Sequence, residues 1–263
     1  MKVIIERLRR AAWTFKQPLT RLPLVAGSPV SDLFIWRNSN EWETFFELTD
    51  LPALFAGFDN AKHNVTLVFF DANGQIFFEK IVEILPGRRY TLALSKIIGK
   101  KHGSVGTFSV FHSYTPQHLI AIGSSLAERG YVSYRFRDSP IRSYVHGNLD
   151  AITRLPNKSL QLLGGQSIWR RKYNLQYSID TPCTYELGIV NPTSKKQRIV
   201  CRILLRDGNL FDSQAVDLPS RGSYLFKVTP KYTQQKIVIS SKLIMARPLV
   251  YRFYNQTVDV CHG

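Results

Sequence analysis

The apolar and polar positions of this chain alternate in short runs that are typical of half-buried β-strands. Residues 64–94 hold two runs of β-branched and aromatic residues, joined by Asp71-Ala72-Asn73-Gly74, where glycine suits the positive φ of a hairpin turn. Residues 197–228 show the same pattern around Asp207-Gly208-Asn209. Because turn signals recur every ~8–12 residues, the pattern favours antiparallel β-sandwiches over a parallel sheet.

Short motifs recur along the chain and indicate an internal duplication. Ile35-Trp36-Arg37 and Leu85-Pro86-x-Arg88 return at one common spacing as Ile168-Trp169-Arg170 and Leu218-Pro219-x-Arg221. Tyr134-Arg135-Phe136 and His146-Gly147 return as Tyr251-Arg252-Phe253 and His262-Gly263, but at a shorter spacing. The repeats predict two copies of one structural unit, the first of which carries an insertion.

The insertion is expected at residues 115–130, near the end of the first copy. Leu119, Ile122 and Leu126 have helical spacing there, and Gly130 follows. We therefore predict an all-β fold of two tandem antiparallel β-sandwiches, at 28–150 and 160–263, with one helix inserted in the first.

We assign residues 1–27 to a basic N-terminal segment that precedes the first predicted sandwich. Apolar residues at helical spacing in residues 1–16 predict a short amphipathic helix, whose basic face could hold residues 1–21 at an anionic membrane surface. The alternative is that this helix docks on the protein's own sheet. Charged residues interrupt the apolar stretch that a signal peptide needs, so a cytoplasmic location is expected, with a peripheral position at the inner membrane as its extension.

The charge of the chain favours anionic partners. Lysine and arginine number 35 against 19 acidic residues, which gives a net charge of +16 and a pI near 9.9. Charge spread over the whole surface for solubility is the alternative. The three cysteines, Cys183, Cys201 and Cys261, lack CxxC spacing, so we expect neither a disulfide framework, nor a metal site, nor a cofactor.

The repeated motifs supply the candidate ligand-binding residues. An arginine beside an aromatic ring suits an anionic sugar, because guanidinium binds carboxylate or phosphate while the ring stacks on the sugar. The alternative is that the aromatic residues are core anchors and the arginines are solvated neighbours on a strand. The candidates are Trp36, Arg37, Arg88, Tyr134, Arg135, His146, Trp169, Arg170, Arg221, Tyr251, Arg252 and His262.

Catalytic motifs are missing, so the sequence predicts a protein that is not an enzyme. It contains no GxSxG, HExxH, Walker-type or GxGxxG pattern. One alternative is an enzyme with a site near the inserted helix, built from His112, His118 and Asp138. Another is an RNA-binding module, for which the basic charge and the many phenylalanine and tyrosine residues would serve.

Residues 238–255, VISSKLIMARPLVYRFYN, and residues 132–148, VSYRFRDSPIRSYVHGN, resemble the last strands of the bacterial sandwich domains known as sensory rhodopsin transducers. The tandem form is also similar to bacterial proteins that accompany surface-polysaccharide assembly. These resemblances imply a bacterial, soluble, non-catalytic module. Taken together, these features predict a binding or scaffold protein for an anionic ligand. A glycan or glycan precursor is favoured over nucleic acid as that ligand. The sequence does not determine the oligomeric state.

Overall fold

The computed structural model describes residues 19–56, 62–99, 103–147, 149–245 and 247–263. Strands make up 54% of the structure and helices 6%, which confirms the all-β prediction. No helix in these ranges is long and apolar enough to cross a bilayer. The predicted N-terminal helix, including the basic face that could meet a membrane, falls on residues outside the described ranges.

The secondary-structure elements follow one another in short segments. The strands are β1 (Val30–Ser31), β2 (Phe34–Arg37), β3 (Trp42–Thr49), β4 (His63–Asp71), β5 (Ile76–Ile84), β6 (Arg89–Ala93), β7 (Val105–His112), β8 (Ala127–Glu128), β9 (Tyr131–Phe136), β10 (Ser143–His146), β11 (Ile152–Arg154), β12 (Leu160–Leu162), β13 (Gln166–Asn174), β14 (Thr184–Val190), β15 (Gln197–Leu204), β16 (Leu210–Leu218), β17 (Ser223–Val228), β18 (Lys236–Leu243), β19 (Leu249–Tyr254) and β20 (Thr257–His262). The helices are α1 (Leu51–Ala56), α2 (Leu94–Ile98) and α3 (Gln117–Ala121).

These strands form five four-stranded sheets, and four of the sheets repeat one topology. Sheet A has the order β2-β7-β4-β5, and sheet C has the matching order β13-β18-β15-β16. Sheet B has the order β10-β9-β3-β6, and sheet D has the matching order β20-β19-β14-β17. Sheet E, with the order β12-β11-β1-β8, has no counterpart among the described strands. The two halves of the chain therefore share a strand plan, as an internal duplication produces.

The hairpin turns of the two halves match in detail. In the first, the Asp71 amide donates to the Gln75 carbonyl (3.0 Å), and Gly74 has φ 77°. In the second, the Leu205 amide donates to the Asn209 carbonyl (2.9 Å), and Gly208 has φ 91°. Glycine is favoured at both positions because a Cβ atom is strained at positive φ. Both predicted hairpins are confirmed.

The prediction of two separate sandwiches is wrong, because sheet D is buried on both of its faces. Leu187 and Val250 pack into the core between sheets C and D. Tyr251 and Val260, on the same sheet, pack into the core of the first half with sheets A and B. An isolated second sandwich would expose Tyr251 to water, so the five small sheets pack as one structure.

Sheet E covers the outer face of sheet A. Val68, Phe70 and Phe111 of sheet A pack against Leu33 and Ile152 in a third core. Of the strands of sheet E, β11 lies in the stretch between the two predicted sandwiches, and β12 lies at the start of the second one. The remaining two come from the start of the first module and from its insertion.

The insertion is present, but its helix is shorter than predicted. Eighteen residues separate β7 from β9, against five between β18 and β19. The helix α3 ends at Ala121, and Gly123 with φ 69° follows it. Leu126 is buried beyond the helix, next to β8, while Ile122 is 75% exposed. The glycine ends the helix because it takes the left-handed conformation that a helix interior does not allow.

Candidate functional site

Three of the predicted ligand-stacking residues lie in the core. Trp36, Tyr134 and Tyr251 are fully buried. The Trp36 indole donates to the carbonyls of Phe70 and Thr107, at 3.1 Å each. Their rings have no free face for a sugar or base, so the prediction that they bind a ligand is wrong. They follow the alternative in which the aromatic residues are core anchors.

Arg37 is also buried, and it joins the two halves. Its guanidinium lies 3.5 Å from the ring centroid of Trp42 and 4.8 Å from that of Tyr251. Its Nη1 atom is 2.6 Å from the Glu186 carboxylate of sheet D, and the two side chains are 8% and 15% exposed. The ion pair lines a cleft of about 420 Å³ between the halves. The guanidinium is already in contact with the Glu186 carboxylate and the two aromatic rings. The prediction that Arg37 binds an external anion is therefore wrong.

The two Ile-Trp-Arg motifs occupy different places in the repeated fold. Phe34 lies opposite Phe108 in sheet A, and the Leu175 amide donates to the Ile237 carbonyl in sheet C. In each of the two hairpins the register shifts at one point, and the last residue before that shift pairs with Phe108 in sheet A and with Ile237 in sheet C. Phe108 and Ile237 therefore hold equivalent positions. Leu175 is therefore the counterpart of Phe34, and Trp169 lies six residues ahead of it. The motif repeats in sequence but not in position.

Trp169 and Arg170 lie on the surface at an irregular part of β13. This edge strand pairs with β18 at Gln166 and again from Arg171, and its register shifts between the two. Trp169 is 79% exposed and Ile168 is 53% exposed. Arg170 is exposed, and its Nη1 donates to the Ser240 carbonyl on β18 at 3.3 Å. Both predicted residues are therefore accessible to a ligand.

The other repeated arginines are dispersed. Arg88 is exposed in the turn after β5. Arg135 forms an exposed ion pair with Glu43, and Arg252 forms one with Asp259 at 3.1 Å. The structure does not bring these arginines together into one site.

Arg221 lies apart from those three. It is half-buried at a positive φ of 62°, with its guanidinium 5.4 Å from the Phe70 ring centroid. Its carbonyl accepts a hydrogen bond from the Thr107 hydroxyl at 2.8 Å, which joins the second half to sheet A.

His146 and His262 meet where the edges of sheets B and D adjoin. Their ring centroids are 5.1 Å apart, and His262 Nε2 donates to the His146 carbonyl at 2.8 Å. Burial lowers the pKa of His262 to about 4, so this ring is neutral at pH 7. In the part of the chain that the structure describes, no cluster of three or more potential ligands could hold a metal ion. This pair acts as a contact between the halves.

Within the described ranges no sheet packs on the outer face of sheet C, in contrast to that of sheet A. Ile199, Cys201 and Ile203 on β15 point into the core, so Arg198 and Arg202 point outward. We call this surface the basic face. Its charged members are Lys172, Arg198, Arg202, Lys236, Lys242 and Asp217.

Strand register confirms that these side chains share one face. Lys172 lies opposite Ser240, which lies opposite Val200 on β15. Lys236 and Lys242 are at even spacing from Ser240, and so project to the same side. Among the described residues, the three lysines have no recorded ion pair, and the sole carboxylate pairs with Arg198 at 3.4 Å.

Sequence reasoning missed most of this face. None of its charged members was among the candidate ligand-binding residues of the sequence analysis. Arg198 and Arg202 alternate with buried residues on β15, and Lys236 and Lys242 do so on β18. That alternation was the available signal. Its meaning depended on the arrangement of the sheets, in which none of the described strands packs on this face.

A chain of four buried ionisable side chains lies near the insertion. His63 Nε2 is 3.1 Å from His112 Nδ1, and His112 Nε2 is 2.9 Å from Glu128 Oε2. His63 Nδ1 is 3.6 Å from Asp50 Oδ1. Glu128 comes from β8 of the insertion, so the insertion is tied to sheet A through His112.

These four side chains make three contacts with one another. They share only two ring protons when both imidazoles are neutral and both carboxylates are ionised. The short contact to Glu128 places one proton on His112 Nε2, which leaves its Nδ1 to accept from His63 Nε2. His63 Nδ1 then has no proton to donate to Asp50. The longer distance of 3.6 Å at that contact, and the absence of a hydrogen bond to His63 Nδ1, agree with this assignment.

The structure does not bring together the three residues of the predicted catalytic alternative at these four buried side chains. His118 and Asp138 are exposed, whereas His112 is buried with its two ring nitrogens against His63 and Glu128. A cavity of about 530 Å³ has His112 and Tyr114 in its wall, but both ring nitrogens of His112 are already engaged. The inserted residues 117–128 are not among those that line this cavity.

His63 should make folding sensitive to acid. Burial and the neighbouring His112 lower its pKa below 6.5, against an opposing effect of Asp50. Its contribution to stability is therefore present above pH 6.5 and is lost as the pH falls, by at most about 1.4 kcal/mol per pH unit. Urea unfolding from pH 7.5 to 5 should show this loss, and His63→Gln should reduce it. An unchanged slope in the variant would contradict the assignment.

Comparison with known proteins leaves the family of this chain open. No family model matches, and no curated protein sequence matches. A solved structure of infectious bursal disease virus, Gx strain, has 10% identity over 88% of this chain and 56% of that one, with a TM-score of 0.17. An oxalate decarboxylase structure has 12% identity over 90% and 69%, with a TM-score of 0.18.

A β-glucuronidase of glycoside hydrolase family 2 has 11% identity over 94% of this chain and 26% of that one, with a TM-score of 0.16. This chain thus spans about half the length of the first of these proteins. At such TM-scores the likenesses carry no argument about fold or function. The resemblance to sensory rhodopsin transducers and to polysaccharide-assembly proteins stays a prediction.

Proposed function

We propose that this protein binds an anionic polysaccharide, without catalysis, on the basic face of sheet C. The observation that carries the proposal is the difference between the duplicated sheets. The outer face of sheet A is apolar and covered by sheet E along β4 and β7, whereas in the part of the chain that the structure describes no sheet packs on the same face of sheet C, which is basic. A shared strand plan does not require this difference, so the open face is where function is expected.

The charge of this face supports an anionic ligand. Five cations share the face with one carboxylate, and cations without nearby anions attract an anionic polymer over long range. The pairs of Arg135 with Glu43 and Arg252 with Asp259 are already neutralised, so they offer less to a ligand. The cations most available to a ligand are Lys172, Lys236 and Lys242.

The other side chains of the face favour a glycan over single-stranded nucleic acid. Between the cations lie Val200, Ser213, Ala215 and Val238, which are small and not aromatic. Sheet-based recognition of single strands relies on aromatic side chains that stack on several bases. A flat charged face suits carboxylate or sulfate groups repeated along a sugar chain. The cytoplasmic location and the possible membrane contact of residues 1–21 stay predictions.

The proposal is tested by removing charge from the face and, as a control, from elsewhere. Lys172→Gln with Lys242→Gln should weaken binding of oligogalacturonate by about tenfold or more at 0.1 M salt, because ionic contacts dominate such binding. Lys80→Gln with Lys96→Gln removes the same charge from exposed positions outside sheet C. Isothermal titration calorimetry measures both.

The control pair should retain wild-type affinity within about twofold. Equal losses in the two double variants would show that net charge alone causes binding, and would contradict the assignment of the site. Tighter binding of single-stranded RNA than of oligogalacturonate by the wild type would support nucleic acid instead.

A further inference from the structure

Trp169 is the most exposed tryptophan among the described residues, and its surroundings distinguish it from an ordinary surface residue. Trp36 and Trp42 are buried, whereas Trp169 is 79% exposed and follows Ile168, itself 53% exposed. A large apolar ring in water is unfavourable, and adjacent exposed apolar side chains often mark a binding site.

The backbone of β13 places this ring outside the sheet. The strand leaves its pairing with β18 after Gln166 and resumes it at Arg171. A bulge of this kind on an edge strand redirects side chains and often lies beside a functional site. The irregular segment therefore presents Ile168 and Trp169 to solvent instead of to the core.

The basic face begins immediately beside this segment. Arg170 donates to the Ser240 carbonyl on β18, so its guanidinium lies against that strand. Lys242 is two residues from Ser240 and on the same side of the sheet. Because Gln166 pairs with Leu243 and Arg171 pairs with Ser241, Lys242 lies opposite the unpaired segment that contains Trp169. A ring stacked on Trp169 would thus have its substituents within reach of these two cations.

We propose that Trp169 is a stacking platform for a pyranose ring that carries an acidic group, with Arg170 and Lys242 binding that group. This inference rests on the proposed function and narrows the ligand to a uronic acid or sulfated sugar. The indole provides the apolar contact, and the cations provide the charge contact. A polyanion without rings would use the cations alone.

The test compares oligogalacturonate with inorganic polyphosphate, which has charge but no ring. Trp169→Ala should weaken oligogalacturonate binding by about tenfold and change polyphosphate binding by less than about twofold. Trp169→Phe should recover most of the loss. Tyr254→Ala removes another exposed aromatic ring, on the β19–β20 hairpin, and should change neither affinity.

Fluorescence gives a second readout in a Trp13→Phe background. Oligogalacturonate should protect Trp169 from acrylamide quenching, since Trp36 and Trp42 are already buried. This inference would be overturned if Trp169→Ala left the affinity for oligogalacturonate unchanged, or if it weakened the binding of both polymers equally. The proposed function would still be tested separately by the charge variants. Absence of binding of either polymer to the wild type would overturn both.

Discussion

Replacing Arg37 with alanine is expected to lower the free energy of unfolding by about 3–5 kcal/mol. The substitution would leave the Glu186 carboxylate, which is 15% exposed, without its partner 2.6 Å away. It would also remove the guanidinium that packs between Trp42 and Tyr251. A buried charge without a partner is costly because neither water nor a counter-ion solvates it.

The exposed counterpart in sequence, Arg170, provides the matched control. Arg170→Ala removes the same side chain from an exposed position, and should change stability by less than about 1 kcal/mol. Urea unfolding at pH 7 measures both variants. Arg37→Met combined with Glu186→Leu should recover much of the loss, because no unpaired charge remains. A loss below 1 kcal/mol in Arg37→Ala would show that the pair does not join the halves.

Replacing Gly74 with alanine should destabilise the protein far more than the same change at Gly208. A Cβ atom at Gly74 would lie 1.9 Å from the Ser220 carbonyl oxygen, whereas one at Gly208 would meet no atom within 4 Å. Both glycines have positive φ, so both variants lose about 1–2 kcal/mol from backbone strain. Gly74→Ala should lose at least about 2 kcal/mol more, since backbone atoms must move to relieve the clash.

The comparison is informative because the two turns have the same backbone hydrogen bonds but different surroundings. The turn of the first half packs on the β16–β17 turn of the second, where the Ser223 amide donates to the Ala72 carbonyl at 3.1 Å. Thermal unfolding of the two variants measures the difference. Equal losses would contradict this account, because they would mean that the contact between the halves at Gly74 is weak.

Much of the fold could be predicted from local sequence. The hairpins at Gly74 and Gly208 have short-range signals, because a turn needs glycine at a fixed place between two apolar runs. The insertion was found from the change in spacing between repeated motifs. The short helices α1 and α2 were not predicted, since each has only a few residues and depends on its packing.

The arrangement of the sheets could not be predicted in the same way. Whether Tyr251 faces its own half or the other depends on the position of sheet D between two cores, which no local pattern records. Trp36 and Trp169 lie in matching three-residue motifs, yet the motif has a different position in β13 than in β2, and the two rings differ in burial. A short sequence match therefore does not establish structural equivalence.

The candidate site was harder to predict than the fold. The sequence analysis identified Trp169 and Arg170, but not the basic face beside them. Arg198 and Lys236 are ordinary strand residues in sequence, and become a candidate surface because none of the other sheets in the described residues packs on that face of sheet C. That property depends on residues distant along the chain, namely those of sheet E, which cover sheet A instead.

The most direct test of the central claim is lysine footprinting by acylation and mass spectrometry, with and without oligogalacturonate. We predict that the polymer protects Lys172, Lys236 and Lys242 on the basic face from acylation. Lys80 and Lys96, exposed outside sheet C, should react at unchanged rates. Protection of all five lysines alike, or of Lys80 and Lys96 alone, would contradict the assignment of the anionic ligand to sheet C.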